Sequence, residues 1–250
     1  MNELDFTGRL IVITGVGRAG QVGEAVAAGF IRRGATVALL GHHATDVNAR
    51  AASLSAHATS RGAATHDVSA HAGDLADEAD AQRLAADVLA QTRDRFEGAV
   101  HAVVCVAGGF GFTGPVDRGE VAQWQPQFAI NLETAYHTTR AFLPAVRAAR
   151  GSFVYFGSAS VVPGGRAAGI TAYAAAKSGV LALMRAVAVD ERSQGVRANA
   201  IAPSQVRTGT NLAAMGEDHA YVERDSIADV AAFLASPLAR DISGQVFTLA

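Results

Sequence analysis

Two side chains that could exchange protons stand four positions apart in this sequence. Tyr173 and Lys177 bound the segment YAAAK, and the apolar residues that follow predict one helix through both. Positions i and i+4 of a helix lie on one face, about 5–6 Å apart at Cβ. A free phenol has a pKa of about 10, and a nearby cation typically lowers it by about 1–3 units. The pair therefore predicts a tyrosine that exchanges a proton with an alcohol or carbonyl oxygen near neutral pH.

The composition of the chain singles out Lys177. Of 21 basic residues 20 are arginine, so Lys177 is the only lysine among 250 residues. Arginine carries a wide planar fork, whereas lysine carries a compact charge with three rotatable donors. We interpret Lys177 as part of a site that requires a compact cation rather than a guanidinium. Since the spacing Tyr-x-x-x-Lys also arises by chance in ordinary helices, the interpretation depends on the rest of the chain.

Composition and charge narrow the class of protein. Half of the residues are hydrophobic, the net charge is −2 and the pI is about 6.4, so no basic field for nucleic acid is present. Cys105 is the only cysteine, which rules out a disulfide within the chain and fits a reducing compartment. We find no signal-peptide pattern and no run of about 18 apolar residues. These features predict a cytoplasmic protein without a membrane span. The eight histidines have no metal-ligand spacing, so we predict no metal site.

Short apolar runs alternate with helical patterns along the whole chain. Strands are predicted at 9–14, 36–40, 68–72, 100–106, 152–156, 196–201 and 245–249. Helices are predicted at 22–33, 77–96, 121–150 and 227–235 and through Tyr173, with a helix or loop at 44–60. Alternation of this kind predicts an α/β Rossmann fold: a doubly wound parallel sheet of about seven strands with helices on both faces. We expect residues 1–250 to form one domain.

A glycine-rich segment, TGVGRAGQVG at 14–23, follows the first predicted strand. Glycines let the backbone approach a pyrophosphate, and the next helix offers free N–H groups at its N-terminus. An ordinary flexible turn is the alternative interpretation. The second strand ends in LLGHH at 39–43, without the acid that often binds a ribose 2′-hydroxyl. That absence leaves room for a 2′-phosphate, which Arg18, His42 or His43 could face.

These segments, in this order, resemble the short-chain dehydrogenase/reductase superfamily over nearly the whole chain. The matching motifs are TG at 14–15 with Gly23, DL at 74–75, CVAG at 105–108, Asn131, GSAS at 157–160, Tyr173 with Lys177, and NAIAP at 199–203 with Thr208. The resemblance implies hydride transfer between a nicotinamide and a carbonyl or alcohol carbon. It also implies a small-molecule substrate and a homodimer or homotetramer.

The resemblance assigns roles to individual residues. Tyr173 would exchange the proton, Lys177 would lower the pKa of Tyr173 and bind the nicotinamide ribose, and Asn131 would support a water beside Lys177. The cofactor-binding residues that it implies are Gly15, Gly17, Arg18, Gln21, Val22, His42, Asp74, Leu75, Ala107, Gly108, Tyr173, Lys177, Pro203, Val206 and Thr208. Two alternatives remain open: Asn131 as a surface or helix-kink residue, and Asp74 as a helix N-cap.

A serine at the end of the fifth strand would hold the substrate oxygen. Counting back from Tyr173 favours Ser160, whereas the end of the predicted strand favours Ser158. We prefer Ser158, because a loop absorbs extra residues more easily than a buried strand shifts.

The chain also departs from the usual pattern. The glycine loop is longer than usual and resembles that of enoyl reductases, although those enzymes space their Tyr and Lys farther apart. The substrate lid between Thr208 and Ser226 is short. This lid, with residues 203–208, Asn211 and MG at 215–216, and the segment CVAGG at 105–109 are similar to dihydropteridine reductase. Three functions follow: an oxidoreductase that prefers NADP(H), with NAD(H) possible; a pteridine-reducing enzyme; or a dinucleotide-sensing module without turnover.

Overall fold

Seven parallel strands form the centre of the protein, in a computed structural model that describes residues 4–59 and 68–250. The strands are β1 (Leu10–Thr14), β2 (Thr36–Gly41), β3 (Val68–Ala72), β4 (Ala102–Cys105), β5 (Ser152–Phe156), β6 (Arg197–Pro203) and β7 (Val246–Leu249). Their order in the sheet is β3-β2-β1-β4-β5-β6-β7. The predicted fold class, a doubly wound parallel α/β sheet, is confirmed.

Helices connect the strands. They are α1 (Val22–Ile31), α2 (Ala44–Thr59), α3 (Glu78–Phe96), α4 (Trp124–Phe128), α5 (Thr134–Ala149), α6 (Thr171–Asp190), α7 (Gly209–Met215) and α8 (Arg224–Ala235). The segment read as a helix or a loop is therefore helical as far as Thr59, and Ser60 lies outside the described residues. The short helix α7 has no counterpart in the sequence-based prediction.

Two cores lie on opposite faces of the sheet. Leu10 and Val12 of β1 face a core with α3, α5 and α6, while Ile11 and Ile13 face a core with α1, α2 and α8. Because both faces are covered, β1 is apolar without interruption, as is typical of parallel strands. Each such side chain contributes about 1.5–3 kcal/mol when it is fully buried. The sheet is therefore a rigid frame for the loops at its edges.

The helix predicted over 121–150 is not continuous. A 3₁₀ turn (Val121–Gln123) leads into α4, and a π-helical turn (Ala129–Glu133) separates α4 from α5. The sequence pattern missed this interruption, because a single π turn shifts the apolar period only slightly. Such turns are rare and often mark functional sites. Here the turn contains Asn131.

Several predicted boundaries are wrong by a few residues. The strand predicted over 100–106 is only Ala102–Cys105, and the one predicted over 196–201 begins at Arg197 and continues to Pro203. The last predicted helix begins at Arg224 rather than Ile227, and the first ends at Ile31. Helix and strand ends depend on local caps, which apolar periodicity does not report.

The helix that carries Tyr173 and Lys177 is more apolar than the sequence analysis expected. An 18-residue window of α6 has a mean hydropathy of 1.3, so by length and composition alone the helix could cross a membrane. The expectation that no such run exists is wrong on this measure. Half of that window is buried inside the protein, and Val180, Leu181 and Met184 pack in the core with α3 and α5. This burial is typical of the central helix of a folded domain.

Candidate active site

Most of the predicted site residues lie at or beyond the carboxyl ends of β1, β4, β5 and β6, while His42, Asp74 and Leu75 follow β2 and β3. The strand order reverses between β1 and β4, and ligands of such sheets bind outside the strand ends at this point. Thr14 at the end of β1 accepts a hydrogen bond from the Ala107 N–H at 3.0 Å. Gly15 has a φ of +70°, and a Cβ there would lie 2.6 Å from the Ala107 nitrogen. The two loops therefore touch backbone to backbone, which only glycine permits at position 15.

The glycine loop opens toward the start of α1. A Cβ on Gly23 would lie 2.6 Å from the Gly15 oxygen, whereas a Cβ on Gly17 would meet nothing within 4 Å. Gln21 is the N-cap residue of α1, and its side chain makes no capping bond among the residues the structure describes. The first N–H groups of α1 thus remain available to an anion, with the positive end of the helix dipole behind them. This arrangement fits the pyrophosphate of a dinucleotide, beside Gly17, Gln21 and Val22.

The extra length of the glycine loop is held by residues that the sequence analysis missed. The Gly20 N–H donates to the Glu24 carboxylate at 2.6 Å, and Arg50 of α2 binds the other oxygen of that carboxylate at 2.6 Å. The Gln21 amide reaches Thr210 of α7 at 3.2 Å. A Glu four residues beyond a glycine carries no distinctive pattern, so only the fold identifies this anchor.

The second predicted subsite lies at the ends of β2 and β3. His42 is exposed, and its Nδ1 lies 3.9 Å from the Asp74 carboxylate. The alternative of Asp74 as a helix N-cap is wrong, since Asp77 caps α3 by accepting from the Asp80 N–H at 2.8 Å. The Leu75 side chain is buried in the core. His42 and Asp74 therefore form an exposed pair that could face an adenosine.

Gly41 ends β2 under the glycine loop. A Cβ at this position would overlap the Val16 carbonyl oxygen and lie 3.0 Å from the Val47 Cβ. The absence of an acid here thus has a steric reason that the sequence did not reveal. Arg18 lies exposed in the same loop, and none of the ion pairs found among the described residues involves it.

Lys177 is the centre of the buried part of the site. Its Nζ donates to the Phe156 carbonyl at the end of β5 at 2.9 Å, and the side chain is buried. Burial lowers the pKa of Lys177 to about 8, while Cys105 acts in the opposite direction. A Cβ on Gly108 would lie 3.0 Å from this Nζ and 2.8 Å from Asn131 Oδ1. The Gly108 backbone therefore lies directly against Lys177 and Asn131.

Asn131 holds the loop that follows β4. Its Nδ2 donates to the Gly109 carbonyl at 2.9 Å and to the Gln127 carbonyl at 3.0 Å. Its Oδ1 accepts from the Gly109 N–H at 3.1 Å. The surface alternative is wrong because Asn131 is buried, and the helix-kink alternative is right in part because the residue lies in the π turn.

Tyr173 lies beside the two candidate serines. The Ser158 and Ser160 hydroxyls lie 2.9 Å apart. Burial raises the pKa of Tyr173, and the Ser158 side chain lowers it by less. The expectation that Lys177 lowers this pKa is wrong in this structure. The Lys177 ammonium lies 5.9 Å from the Tyr173 ring centroid and is bound to Phe156, so desolvation of the phenol dominates.

The remaining predicted residues follow β6. Pro203 ends the strand, Val206 is buried, and the Thr208 hydroxyl caps α7 by accepting from the Asn211 N–H at 3.2 Å. Asn211 in turn donates to the Val206 carbonyl at 2.8 Å. Among the described residues, no three His, Cys, Asp or Glu side chains are grouped so that they could hold a metal ion.

Comparisons with known proteins agree with this geometry. The family model described as enoyl-(acyl carrier protein) reductase matches residues 15–249. An uncharacterized short-chain type dehydrogenase/reductase of Sinorhizobium fredii is 28% identical over 259 residues, covering 96% of this chain and 94% of that protein. L-fucose dehydrogenase of Oryctolagus cuniculus is 30% identical over 242 residues, covering 94% of this chain and 74% of that protein.

A solved structure is also similar over nearly the whole of this chain. The short-chain type dehydrogenase/reductase of Mycobacterium ulcerans superposes with a TM-score of 0.85 at 27% identity, covering 98% of this chain and 89% of that one. Fold, loop geometry and relatives lead to one conclusion. The chain belongs to the short-chain dehydrogenase/reductase superfamily and is an oxidoreductase that acts on alcohol or carbonyl groups with a nicotinamide cofactor.

Proposed function

We propose that the protein interconverts a small ketone or aldehyde and its alcohol, with Tyr173 as the general acid and base. The observation that carries the proposal is the cluster at the end of β5. Ser158 lowers the pKa of Tyr173, and Lys177 is buried one helical turn from Tyr173 and donates to the Phe156 carbonyl at 2.9 Å. Burial of a cation costs free energy, and a buried cation with a shifted pKa beside a phenol is typical of a functional site.

The residues divide the chemistry among them. The nicotinamide cofactor, held by the glycine loop beside Gly17, Gln21 and Val22, would supply the hydride that reduces the carbonyl carbon. The proton that completes the alcohol passes from the Tyr173 phenol to the carbonyl oxygen, and oxidation of an alcohol reverses both transfers. Ser158 donates a hydrogen bond to the substrate oxygen, with Ser160 behind it. Lys177 hydrogen-bonds the nicotinamide ribose, and Asn131 orders the loop beside Lys177.

The cofactor in this proposal is NADP(H) in preference to NAD(H). Support comes from the Val16 carbonyl, which leaves no space for an acid at Gly41. Such an acid would bind both ribose hydroxyls and repel a 2′-phosphate. Arg18 is the cation best suited to that phosphate, since arginine can form two parallel bonds to it.

A pteridine-like substrate is the second candidate. It is favoured by the short segment after Thr208, which holds only α7 before the chain returns to pair with Val206 at Val222. Tyr221 holds this segment through a hydrogen bond to the Gly216 carbonyl at 2.6 Å. Reduction of a quinonoid dihydropterin by NADH in the presence of this protein would favour the second candidate over the first.

Three broader features complete the proposal. Residues 1–250 act as one domain, the protein is cytoplasmic, and it assembles into a homodimer or homotetramer. Tyr136 of α5 and Val189 of α6 support assembly, because both are large exposed apolar residues on helices beside the sheet. A dinucleotide-sensing module without turnover is disfavoured, since such a module would have no need of Tyr173 and two serines together with Lys177.

Replacement of Tyr173 tests the mechanism directly. Tyr173→Phe removes only the phenol oxygen, so kcat should fall by about 10²-fold or more, the scale of lost general acid–base catalysis. The measurement is NADPH absorbance with a panel of ketones and aldehydes, followed by the variant on any substrate that the wild type turns over. Unchanged kcat in Tyr173→Phe would refute the role of the phenol, and no turnover of any carbonyl compound would refute the proposed activity.

A further inference from the structure

One aromatic ring lies against Tyr173 and is otherwise open to solvent. The Phe110 ring centroid is 5.3 Å from that of Tyr173, with an angle of 65° between the planes. Phe110 is nevertheless 70% exposed. A ligand that covered this large apolar side chain would remove apolar surface from water, which favours binding. Its position beside the proton-exchanging phenol is the reason to expect a substrate there.

The loop that carries Phe110 is fixed at both ends. Asn131 binds the Gly109 backbone through two hydrogen bonds, at 2.9 and 3.1 Å. The Thr113 and Gly114 N–H groups both donate to the Gly169 carbonyl, at 2.8 and 3.0 Å. Between these anchors a Cβ on Gly111 would overlap the Gln127 side chain. The loop is thus packed onto neighbouring segments, and the Phe110 ring is held beside Tyr173.

Phe112 provides an internal comparison. It is also 70% exposed, but its ring lies over Gly169, where a Cβ would overlap it. Gly169 has a φ of +75°, so its conformation favours glycine as well. Phe112 therefore packs one loop against another, whereas Phe110 packs against the catalytic tyrosine.

The segment that carries Phe110 is uncharged. Residues 107–116 read AGGFGFTGPV, with no acid and no base. A substrate carboxylate or phosphate would find no counter-charge in this segment. An aromatic ring would find a packing partner in Phe110, since aromatic pairs prefer edge-to-face or offset geometries with centroids about 4.5–7 Å apart.

We propose that Phe110 determines substrate specificity: it forms a shelf beside Tyr173 for the aryl group of an uncharged aryl ketone or benzylic alcohol. The inference rests on the proposed function, because it names the substrate class of the same site. The aryl ring would lie on Phe110 while its carbonyl oxygen reaches the Tyr173 and Ser158 hydroxyls. Stacking would favour a flat aromatic group over a saturated ring of equal size.

A matched pair of ketones tests the shelf. Acetophenone and cyclohexyl methyl ketone share the methyl carbonyl and the carbon count, and differ in the flat ring. Wild-type kcat/KM should be higher for acetophenone than for cyclohexyl methyl ketone. Phe110→Ala should lower kcat/KM for acetophenone by about tenfold, because an aromatic contact and the burial of its surface are lost. Phe110→Leu, which keeps apolar bulk, should also lose the preference, whereas Phe112→Ala should retain it. Thermal melting checks that each variant folds.

Binding separates this inference from the proposed function. Calorimetric titration of acetophenone into the protein with NADP⁺ should show affinity that falls about tenfold in Phe110→Ala and not in Phe112→Ala. Turnover of other carbonyls without any preference for acetophenone would overturn the shelf and leave the proposed function intact. Acetophenone binding that needs Phe110, without turnover of any carbonyl, would retain the shelf and overturn the function. Neither binding nor turnover would overturn both.

Discussion

The two ends of the candidate site are built differently. At the end proposed for catalysis, called the catalytic end, Asn131 and Lys177 are 1% and 5% exposed, and each has backbone partners within 3.1 Å. At the end proposed for the adenosine, called the open end, the His42 and Asp74 side chains are 62% and 51% exposed, and their closest approach is 3.9 Å. One end is enclosed and hydrogen-bonded to the backbone, whereas the other is open to solvent.

The difference sets how each end should respond to substitution. A buried polar group that loses its partner costs the full desolvation penalty, so small changes at the catalytic end should have large effects. Exposed ion pairs contribute about 0–1 kcal/mol, because solvent screens them. We therefore expect sharp losses at Lys177 and Tyr173 and graded changes at Arg18 and His42.

The largest effect should appear in the pH dependence of stability. Burial lowers the pKa of Lys177 from 10.5 to about 8. Between these values the unfolded chain binds the proton and the folded chain does not, so the free energy of unfolding should rise with pH. The full rise corresponds to about 3 kcal/mol, absent below pH 8 and complete above pH 10.5.

Urea unfolding of the wild type and of Lys177→Met isolates this contribution. Other groups titrate in both proteins, so the quantity to follow is the difference between the two free energies of unfolding. That difference should shift in favour of the wild type as the pH rises from 7.5 to 10.5. A constant difference would mean that Lys177 keeps its ordinary pKa, and that the two ends of the site differ less than their burial suggests.

The second effect is on catalysis. Lys177→Arg should lower kcat/KM by about 10²-fold, nearly as much as Lys177→Ala. The guanidinium is wider than an ammonium, and the contacts at Phe156 and Gly108 leave little space for it. Steady-state kinetics on any substrate of the wild type measures the loss. Near-normal kcat/KM in Lys177→Arg would show that charge alone suffices.

The same contrast explains what could be predicted from the sequence. The strands were found because burial on both faces gives continuous apolar runs, and Tyr173 with Lys177 because one helix fixes their spacing. Both features are local, and both are decided by a few residues close together in the chain. Asn131 was found only through a resemblance, and its π turn was missed.

Contacts between distant segments could not be read from the chain. The close approach of the Val16 carbonyl to Gly41 leaves no space for a side chain at position 41. This approach, and the anchor formed by Glu24 and Arg50, depend on how loops from different strands meet. The pKa of Tyr173 was predicted with the wrong sign, because helical spacing reports the nearby Lys177 and not the desolvation of the phenol. Contacts between distant segments, and the burial of a side chain by them, can be read only from the packed structure.

The third effect concerns the two serines at the catalytic end. Ser158 is buried and lowers the pKa of Tyr173, while the Ser160 hydroxyl lies 2.9 Å from that of Ser158. Ser158→Ala should therefore lower kcat by about tenfold or more, the scale of one hydrogen bond to a charged group, and Ser160→Ala by only about two- to threefold. The reverse order in parallel kinetic measurements would assign the substrate oxygen to Ser160.

The smallest effect should appear at the open end. Arg18→Ala should raise KM for NADPH by about five- to tenfold and leave KM for NADH nearly unchanged, because a charge-assisted bond to the 2′-phosphate would be lost. His42→Ala should have a smaller effect, since Asp74 lies 3.9 Å from His42 and competes with the phosphate for it.

Arg50→Ala is the matched control for Arg18→Ala. Arg50 binds Glu24, which in turn holds the Gly20 N–H, so its loss should loosen the glycine loop and raise KM for both cofactors alike. The opposing view is that the longer loop carries Arg18 away from the adenosine ribose. In that case Arg18→Ala would change the two KM values equally, or the wild type would prefer NADH. Either result would mean that the steric exclusion of an acid at Gly41 admits NADP(H) without selecting it, and that selection at the open end depends on residues other than Arg18.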